Sequence, residues 1–234
     1  FIQPVITVLL YWFVFEFGLH QKANDLRTGI EVPFVLWLMG GLVPWFYFQE
    51  ALNGGTGVLD EYSYLVKKVV FQIDALPVVK LISALFTHAF FVVFMLVVFA
   101  VMGFYPDLYV LQIVYYSFCM VILTAGLIYA TSAVTVFFRD MKEVVSILLQ
   151  IGMWVTPIMW NFESMQGIPK WAVVLLKLNP MYYIVSGYRD ALINKTAFWE
   201  HLGLTLWFWG ITLFTLWAGT TVFKRLRVHF ADVL

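Results

Sequence analysis

The stretch FFRDMKEVVSILLQIGMWVTPIMW, residues 137–160, begins with a polar turn and continues as an apolar run. The turn holds four charged side chains within five positions: Arg139, Asp140, Lys142 and Glu143. The run ends at Thr156 and Pro157, and a proline disfavours helical backbone at the residue before it. The stretch therefore predicts a charged turn (residues 139–143) followed by one apolar helix that ends near Pro157.

Composition places the chain among membrane proteins. Of its 234 residues 62% are hydrophobic and 12% are charged, whereas soluble domains average roughly 45–50% and about 25%. Fourteen basic residues balance fourteen acidic ones, which disfavours a nucleic acid or another polyanion as partner. The single cysteine, Cys119, cannot form an internal disulfide and is expected to be a small buried hydrophobe.

Apolar runs predict an all-α, polytopic membrane protein with six transmembrane helices. A bilayer core about 30 Å thick needs roughly 20 apolar residues per helix. The predicted spans are residues 2–19, 33–49, 76–102, 108–136, 144–159 and 202–223. Pro33 and Asp107 are typical of helix starts, and Pro44 predicts a kink in the second span.

The shorter run WAVVLLKLNPMYYIV, residues 171–185, predicts a re-entrant helical hairpin instead of a span. Lys177 is costly near the bilayer centre, and Asn179-Pro180 is typical of the cap and first residue of a new helix. We expect two short helices that enter the membrane and return. Irregular backbone at that depth has to be buried in protein or line a water-filled cavity.

The distribution of Lys and Arg predicts the orientation. With both termini inside, eight of these residues fall in inner segments and six in outer ones. Three basic residues directly follow the last span, where the positive-inside rule has most force. We therefore expect both termini and the charged turn in the cytoplasm, and the hairpin outside.

A second inner segment, GVLDEYSYLVKKVVFQIDALP at residues 57–77, has helical periodicity. Val58, Tyr62, Leu65 and Val69 form one apolar stripe, with acidic residues in the first turn and lysines in the last, as the helix dipole favours. The segment predicts an amphipathic helix on the inner surface. It is either an interfacial helix without a partner or a docking element, and the charged turn in the same compartment favours docking.

Catalytic and cofactor motifs do not occur in the sequence. The glycine-rich residues 54–57 lack the lysine of a phosphate loop, and no cluster of carboxylates or histidines supports a membrane-embedded transferase. His88 lies within a predicted span, whereas Glu16, His20 and Glu50 lie near span ends. A stand-alone channel or a secondary transporter stays as an alternative, although mid-span acidic residues are few.

Several stretches resemble a known family. Residues 137–160 and LNPMYYIVSGYRDAL (residues 178–192) resemble the carboxyl half of ABC-2-type permeases that export lipid-linked polysaccharides. YWFVFEFGL, PFVLWLMGGLVPWFYF and KRLRVHFADVL look closest to the teichoic acid translocation permeases of Gram-positive bacteria. Gln72 stands where such permeases commonly have Phe-Pro. They usually begin with an amphipathic segment, so we expect one ahead of a single permease domain at residues 1–234.

The resemblance implies a half-transporter in the plasma membrane that is not an enzyme and binds no cofactor. It would pair with a second copy of itself and with two cytoplasmic ABC ATPase subunits that hold ATP and Mg²⁺. The implied cargo is an anionic polymer linked to polyprenyl pyrophosphate, with wall teichoic acid ahead of O-antigen, capsule or a small lipophilic drug. Membrane lipid would contact its outer surface.

The resemblance also assigns candidate site residues. Those for coupling to the ATPase are Leu59, Tyr62, Leu65, Lys67, Lys68, Arg139, Asp140 and Lys142. Aromatic rings pack against the C–H faces of sugars, although most Trp and Tyr near span ends are expected to anchor in the interface. Those for the substrate path and its gate are Tyr11, Trp12, Trp45, Trp154, Tyr182, Tyr183 and Arg189.

Overall fold

The computed structural model describes residues 2–18, 23–24, 31–66, 72–160 and 167–233. The regular secondary structure in these ranges is helical apart from one antiparallel pair of two-residue strands, β1 (Ala23–Asn24) and β2 (Glu31–Val32). The predicted all-α class is confirmed. The helices are α1 (Ile2–Trp12), α2 (Phe34–Thr56), α3 (Val58–Glu61), α4 (Ser63–Val66), α5 (Ala75–Val101), α6 (Gln112–Thr135), α7 (Met141–Val155), α8 (Lys170–Leu178), α9 (Pro180–Arg189), α10 (Leu202–Leu226) and α11 (Phe230–Val233).

Short irregular helices extend several of these elements. Two π-helices, Phe13–Gly18 and Asp190–Asn194, continue α1 and α9. Three 3₁₀ helices lie before α6, α10 and α11, at Leu108–Leu111, Phe198–His201 and Arg227–His229.

Three helical segments of the described chain are long and apolar enough to cross a membrane: Ala75–Val101, Leu108–Thr135 and Phe198–His229. They correspond to the predicted spans at residues 76–102, 108–136 and 202–223. The other predicted spans coincide with α1, α2 and α7, and the six-span count stays a prediction. With 15 residues, α7 is about 22 Å long, which is shorter than the hydrocarbon core.

Helix α2 forms the centre of the molecule. Eighteen of its 23 residues are buried, and it packs against α5, α6, α7 and α9. A helix that is apolar all round is typically a buried one, and α2 runs through Pro44 to Thr56, beyond the predicted end at residue 49. By contrast, α5 and α10 bury few residues and expose large apolar side chains such as Phe86 and Phe214. These two helices therefore form the apolar exterior.

Glycines allow α6 and α10 to pack at backbone contact. A Cβ atom added to Gly219 would lie 2.0 Å from the carbonyl oxygen of Gly126, and one added to Gly126 would lie 2.7 Å from the nitrogen of Leu216. Small residues at helix crossings are typical of membrane bundles, because lipid tails give helices no hydrophobic reason to associate. The two glycines therefore set the distance between these helices.

Local sequence signals place several helix ends correctly. Helix α7 ends at Val155, and Thr156 has extended backbone (φ −77°, ψ 125°) before Pro157. Asn179 caps α9 by accepting a hydrogen bond from the N–H of Met181 at 3.0 Å. Asp107 similarly accepts from the N–H of Tyr109 at 3.1 Å. The predicted break between two short helices at Asn179-Pro180 is confirmed, whereas their re-entry into a membrane stays a prediction.

The prediction of one amphipathic helix after α2 is wrong in its continuity. The segment forms two four-residue helices, α3 and α4, and Tyr62 between them departs from helical geometry (φ −108°, ψ 29°). Both Val58 and Leu59 are buried, although neighbouring helical residues cannot share one narrow stripe. Burial of this pair anchors α3 against the bundle, and residues 67–71 lie outside the described ranges.

Candidate functional site

One end of the bundle gathers α3, the first turns of α5 and α7, and the last turns of α6 and α10. We call it the charged end. A separate hydrophobic cluster holds it together: Val58, Leu59, Leu76, Ala133, Val136, Phe223 and Phe230. Leu59, predicted to couple to an ATPase, is only 1% exposed. It therefore anchors α3 inside the chain and offers no surface to a partner.

Ion pairs join α3 to the neighbouring helices. Lys142 of α7 lies 2.7 Å from the carboxylate of Asp60, and Lys80 of α5 lies 2.7 Å from that of Glu61. The Lys80 ammonium is also 5.5 Å from the centre of the Tyr62 ring. Exposed ion pairs contribute at most about 1 kcal/mol each. Their main effect is to set the position of α3 and Tyr62 relative to Lys142, two of the predicted coupling residues.

The surface of the charged end mixes apolar and charged side chains. Phe137 and Phe138 are both exposed, as are Arg139 and Asp140 beside them in the turn before α7. Tyr64 on α4 is also exposed. Aromatic side chains and arginine are the residue types enriched where proteins bind each other. The predicted Leu65 side chain, and Lys67 and Lys68, lie outside what the structure describes.

At the opposite end, Arg189 connects three parts of the chain. We call this group the Arg189 clamp: Arg189, Trp37, Pro157 and Ile158. Arg189 is 7% exposed. Its guanidinium donates to the carbonyl oxygens of Pro157 at 2.7 Å, Ile158 at 2.8 Å and Trp37 at 3.4 Å, and its central carbon lies 3.4 Å from the centre of the Trp37 ring.

Two glycines of α2 make room for this arginine. A Cβ atom at Gly40 would lie 3.3 Å from Cγ of Arg189, and one at Gly41 would lie 3.0 Å from Nη2. The sequence stretches around residues 40, 157 and 189 therefore meet at a single side chain. A buried charge is tolerated only when its hydrogen bonds are satisfied, and here main-chain oxygens satisfy them.

Arg189, predicted for the substrate path and its gate, lies inside the clamp. The hydrogen bonds described for it go to carbonyl oxygens. The neighbouring Asp190 accepts from Asn194 at 2.8 Å and lies 3.7 Å from His201. Arg189 is buried in this arrangement, and its place in the gate stays a prediction.

The other predicted path residues divide between core and surface. Tyr183 is buried, stacks on Phe208 with ring centres 4.8 Å apart, and shares hydroxyl contacts with Tyr115 and Thr205. Tyr182 and Trp45 are also buried, while Tyr11 and Trp12 are half-buried and Trp12 donates to Glu16. Of the seven predicted path residues, Trp154 is the one whose side chain is exposed, at 63%.

A buried polar network escaped the sequence prediction. The Tyr188 hydroxyl lies 2.9 Å from Nε2 of His88 and 2.6 Å from Oγ of Ser117, which joins α9 to α5 and α6. His88 stood out as an ionisable residue within a predicted span, and Tyr188 lies in a quoted motif. Ser117 gave no signal, because nothing local distinguishes a serine that faces a partner from one that does not.

Gln112 forms a second connection of this kind. Its amide nitrogen donates to the carbonyl oxygen of Thr196 at 3.0 Å, and its amide oxygen accepts from the N–H of Phe198 at 2.8 Å. Lys195, between α9 and α10, has left-handed backbone (φ 53°) and pairs with Asp107 at 2.8 Å. Within the described ranges, no group of three or more His, Cys, Asp and Glu side chains could hold a metal ion.

A sequence model of a protein family described as ABC-2 type transporter matches residues 1–193. The chain belongs to this family. It is 25% identical to the O-antigen export system permease protein RfbA of Myxococcus xanthus, over 99% of this chain and 85% of the relative. It is 26% identical to a protein of the same name from Klebsiella pneumoniae with the same coverage. The polysialic acid transport protein KpsM of Escherichia coli is 25% identical over 95% and 83%.

Membership confirms the family-level prediction that this is a membrane-embedded permease and not an enzyme. The relatives' names refer to O-antigen and polysialic acid. They give no support to the finer resemblance to teichoic acid permeases, and that assignment stays a prediction.

Proposed function

We propose that this ABC-2 permease is the membrane subunit of an ATP-driven exporter of a lipid-linked polysaccharide. The observation that carries the proposal is similarity over 99% of the chain to permeases whose names refer to O-antigen export. These 234 residues contain no phosphate loop, and the proposed source of energy is a pair of separate ATPase subunits. Two copies of the chain would form the passage, in the plasma membrane and with both termini in the cytoplasm.

The charged end is the proposed ATPase-binding surface. Four of the predicted coupling residues support this assignment. Tyr62 lies beside the ion-paired α3, Lys142 is paired with Asp60, and Arg139 and Asp140 are exposed. The two exposed phenylalanines before Arg139 supply apolar area. A partner that closes on this surface would push on α3 and α7 together, because the Lys142–Asp60 pair joins them.

The proposed cargo has one part that requires a watery environment and one part that prefers lipid. An anionic headgroup and a hydrophilic chain cannot cross hydrocarbon unaided, whereas an isoprenoid tail prefers lipid. The exposed side of α7, which includes Trp154, would face a wet passage between two copies, with the tail left in the bilayer. The relatives' names favour an O-antigen or capsule polymer, and the resemblance of the motifs favours wall teichoic acid.

The proposal is tested by purification and reconstitution. The tagged chain should bring down a nucleotide-binding protein from its native membrane. The complex should then move a fluorescent lipid-linked polymer across vesicle membranes only with ATP. Parallel assays with O-antigen, capsule, teichoic acid and a small lipophilic drug would identify the cargo. Transport by vesicles that contain the permease without any ATPase would overturn the proposal in favour of a channel or secondary transporter.

Charge reversal tests the binding surface separately. Arg139→Glu with Asp140→Arg should weaken capture of the ATPase, because both side chains are exposed at the proposed contact. Lys170→Glu is the control, since Lys170 is an exposed basic residue at the start of α8, away from the charged end. If both variants retain the ATPase equally, the charged turn does not contribute to docking.

A further inference from the structure

Helix α7 has few packing contacts along its length and its polar contacts at its two ends. Along its length it buries only Val145 and Leu149, and Gly152 adds one close approach, since a Cβ atom there would lie 3.0 Å from Cη2 of Trp45. The rest of the helix exposes large apolar side chains: Val144, Ile147, Leu148, Ile151, Trp154 and Val155. The helix is therefore held loosely along its side, and its two ends carry the polar contacts.

At the charged end, three contacts tie α7 to α2 and α3. Lys142 pairs with Asp60, as described above, and Oγ of Ser146 donates to Oδ1 of Asn53 at 3.2 Å. The Lys142 side chain also crosses the junction between α2 and α3, where a Cβ atom at Gly57 would lie 3.3 Å from Cε of Lys142. The first turn of α7 is therefore coupled to α3 and to the end of α2.

At the other end, the segment after α7 is tied to α9. The side-chain amide of Asn179 donates to Oγ1 of Thr156 at 2.8 Å, and Arg189 binds the next two carbonyl oxygens. Asn179 and Arg189 lie at the two ends of α9. Both ends of α9 therefore connect to residues 156–158.

The two ties differ in strength. The ion pair at the charged end is partly exposed, and such pairs are weak and rearrange at little cost. Arg189 is buried, and breaking one of its contacts would leave a buried donor without a partner. A displacement of α3 that α7 follows would therefore leave the Arg189 contacts in place, and the hairpin α8–α9 would move with the end of α7.

We propose that α7 is a strut that transmits movement from the charged end to the hairpin, and that Arg189 is the positioning residue that joins the strut to α9. This proposal rests on the proposed function, because nucleotide-driven movement has to begin at an ATPase bound to the charged end. It assigns Arg189 a mechanical role in place of contact with the cargo.

The test measures hairpin movement directly, apart from transport. Val174 on α8 is exposed, so Val174→Cys can be labelled with a hydrophilic thiol reagent. The single natural cysteine, Cys119, is buried and adds no background. The permease–ATPase complex in nanodiscs is labelled with and without a non-hydrolysable ATP analogue. We expect the analogue to change the labelling rate of the otherwise natural sequence.

Arg189→Met should abolish this nucleotide dependence, so that both states label at one rate, while the ATPase still co-purifies. Lys195→Met is the control, because it also removes a positive charge close to α9 but lies outside the charged end and leaves the clamp intact, and it should keep the full response. Since Arg189→Met can fail to fold, Arg189→Lys and Thr156→Val provide milder tests. Each weakens one tie at the hairpin end and should reduce the response.

The outcomes separate the two proposals. A complex without a bound ATPase contradicts the proposed function itself. If the ATPase binds but the analogue leaves labelling of the natural sequence unchanged, the strut proposal is wrong. It is also wrong if folded Arg189 variants keep the full nucleotide response. A purely structural role for Arg189 would shift both labelling rates together and preserve their ratio, and that result would likewise overturn it.

Discussion

Replacement of Gly219 by alanine tests the packing of α6 against α10. The new Cβ atom would lie 2.0 Å from the carbonyl oxygen of Gly126, whereas ordinary contact begins at 3.4 Å. The helices would have to separate by more than an ångström, since the obstacle is backbone and not a flexible side chain. Overpacking of this kind costs about 1–3 kcal/mol, and a gap of that width loses a quarter to a half of each van der Waals contact along the seam.

We therefore expect Gly219→Ala to destabilise the chain by about 3 kcal/mol, which corresponds to a fall in melting temperature of roughly 6–12 °C for a chain of this size. Thermal unfolding in detergent measures the shift. Gly210→Ala is the control, because Gly210 lies on the same helix with no atom within 4 Å of the added Cβ. Helix propensity predicts a gain of up to about 1 kcal/mol there. If the two variants melt together, α6 and α10 are not packed at their glycines.

Three further substitutions test buried polar contacts by the same unfolding assay. Tyr188→Phe removes the hydroxyl between His88 and Ser117 and should cost about 1–3 kcal/mol; Tyr105→Phe, at an exposed tyrosine before α6, is the comparison, and equal stability of the two variants would contradict the network. Gln112→Ala should cost a similar amount, since two main-chain groups lose their partner, while Gln112→Glu keeps one of them; an unchanged melting temperature would refute the connection. Asn179→Ala should cost about 1 kcal/mol through loss of the α9 cap, and Asn179→Asp should restore most of it, so equal losses in both would argue against capping.

Signals within a few residues of each other predicted much of the fold. The breaks at Pro157 and Asn179-Pro180 follow from the geometry of proline and its predecessor, and the Asp107 cap follows from a short side chain before a helix. The long apolar runs in α5, α6 and α10 gave their helices directly. These features need no knowledge of what packs against them.

Features that depend on distant contacts were not predictable in the same way. The close approach of Gly126 and Gly219 has no local signal in the sequence, because they meet from two different helices. Val58 and Leu59 of α3 are buried against helices far along the chain. The enclosure of Arg189 was not predictable either, since the carbonyl oxygens around it belong to residues 37, 157 and 158.

Arg189 fills the space beside Gly40 and Gly41, which have no side chains, and this packing has an evolutionary consequence. A side chain at Gly40 or Gly41 would press against the arginine and require it to shift, and loss of the arginine would leave a void beside the bare backbone of α2. Drift at one of these positions is therefore tolerated only alongside a compensating change at the other. Across diverging lineages, positions 40, 41 and 189 should vary in concert, although nearly 150 residues separate them in the sequence.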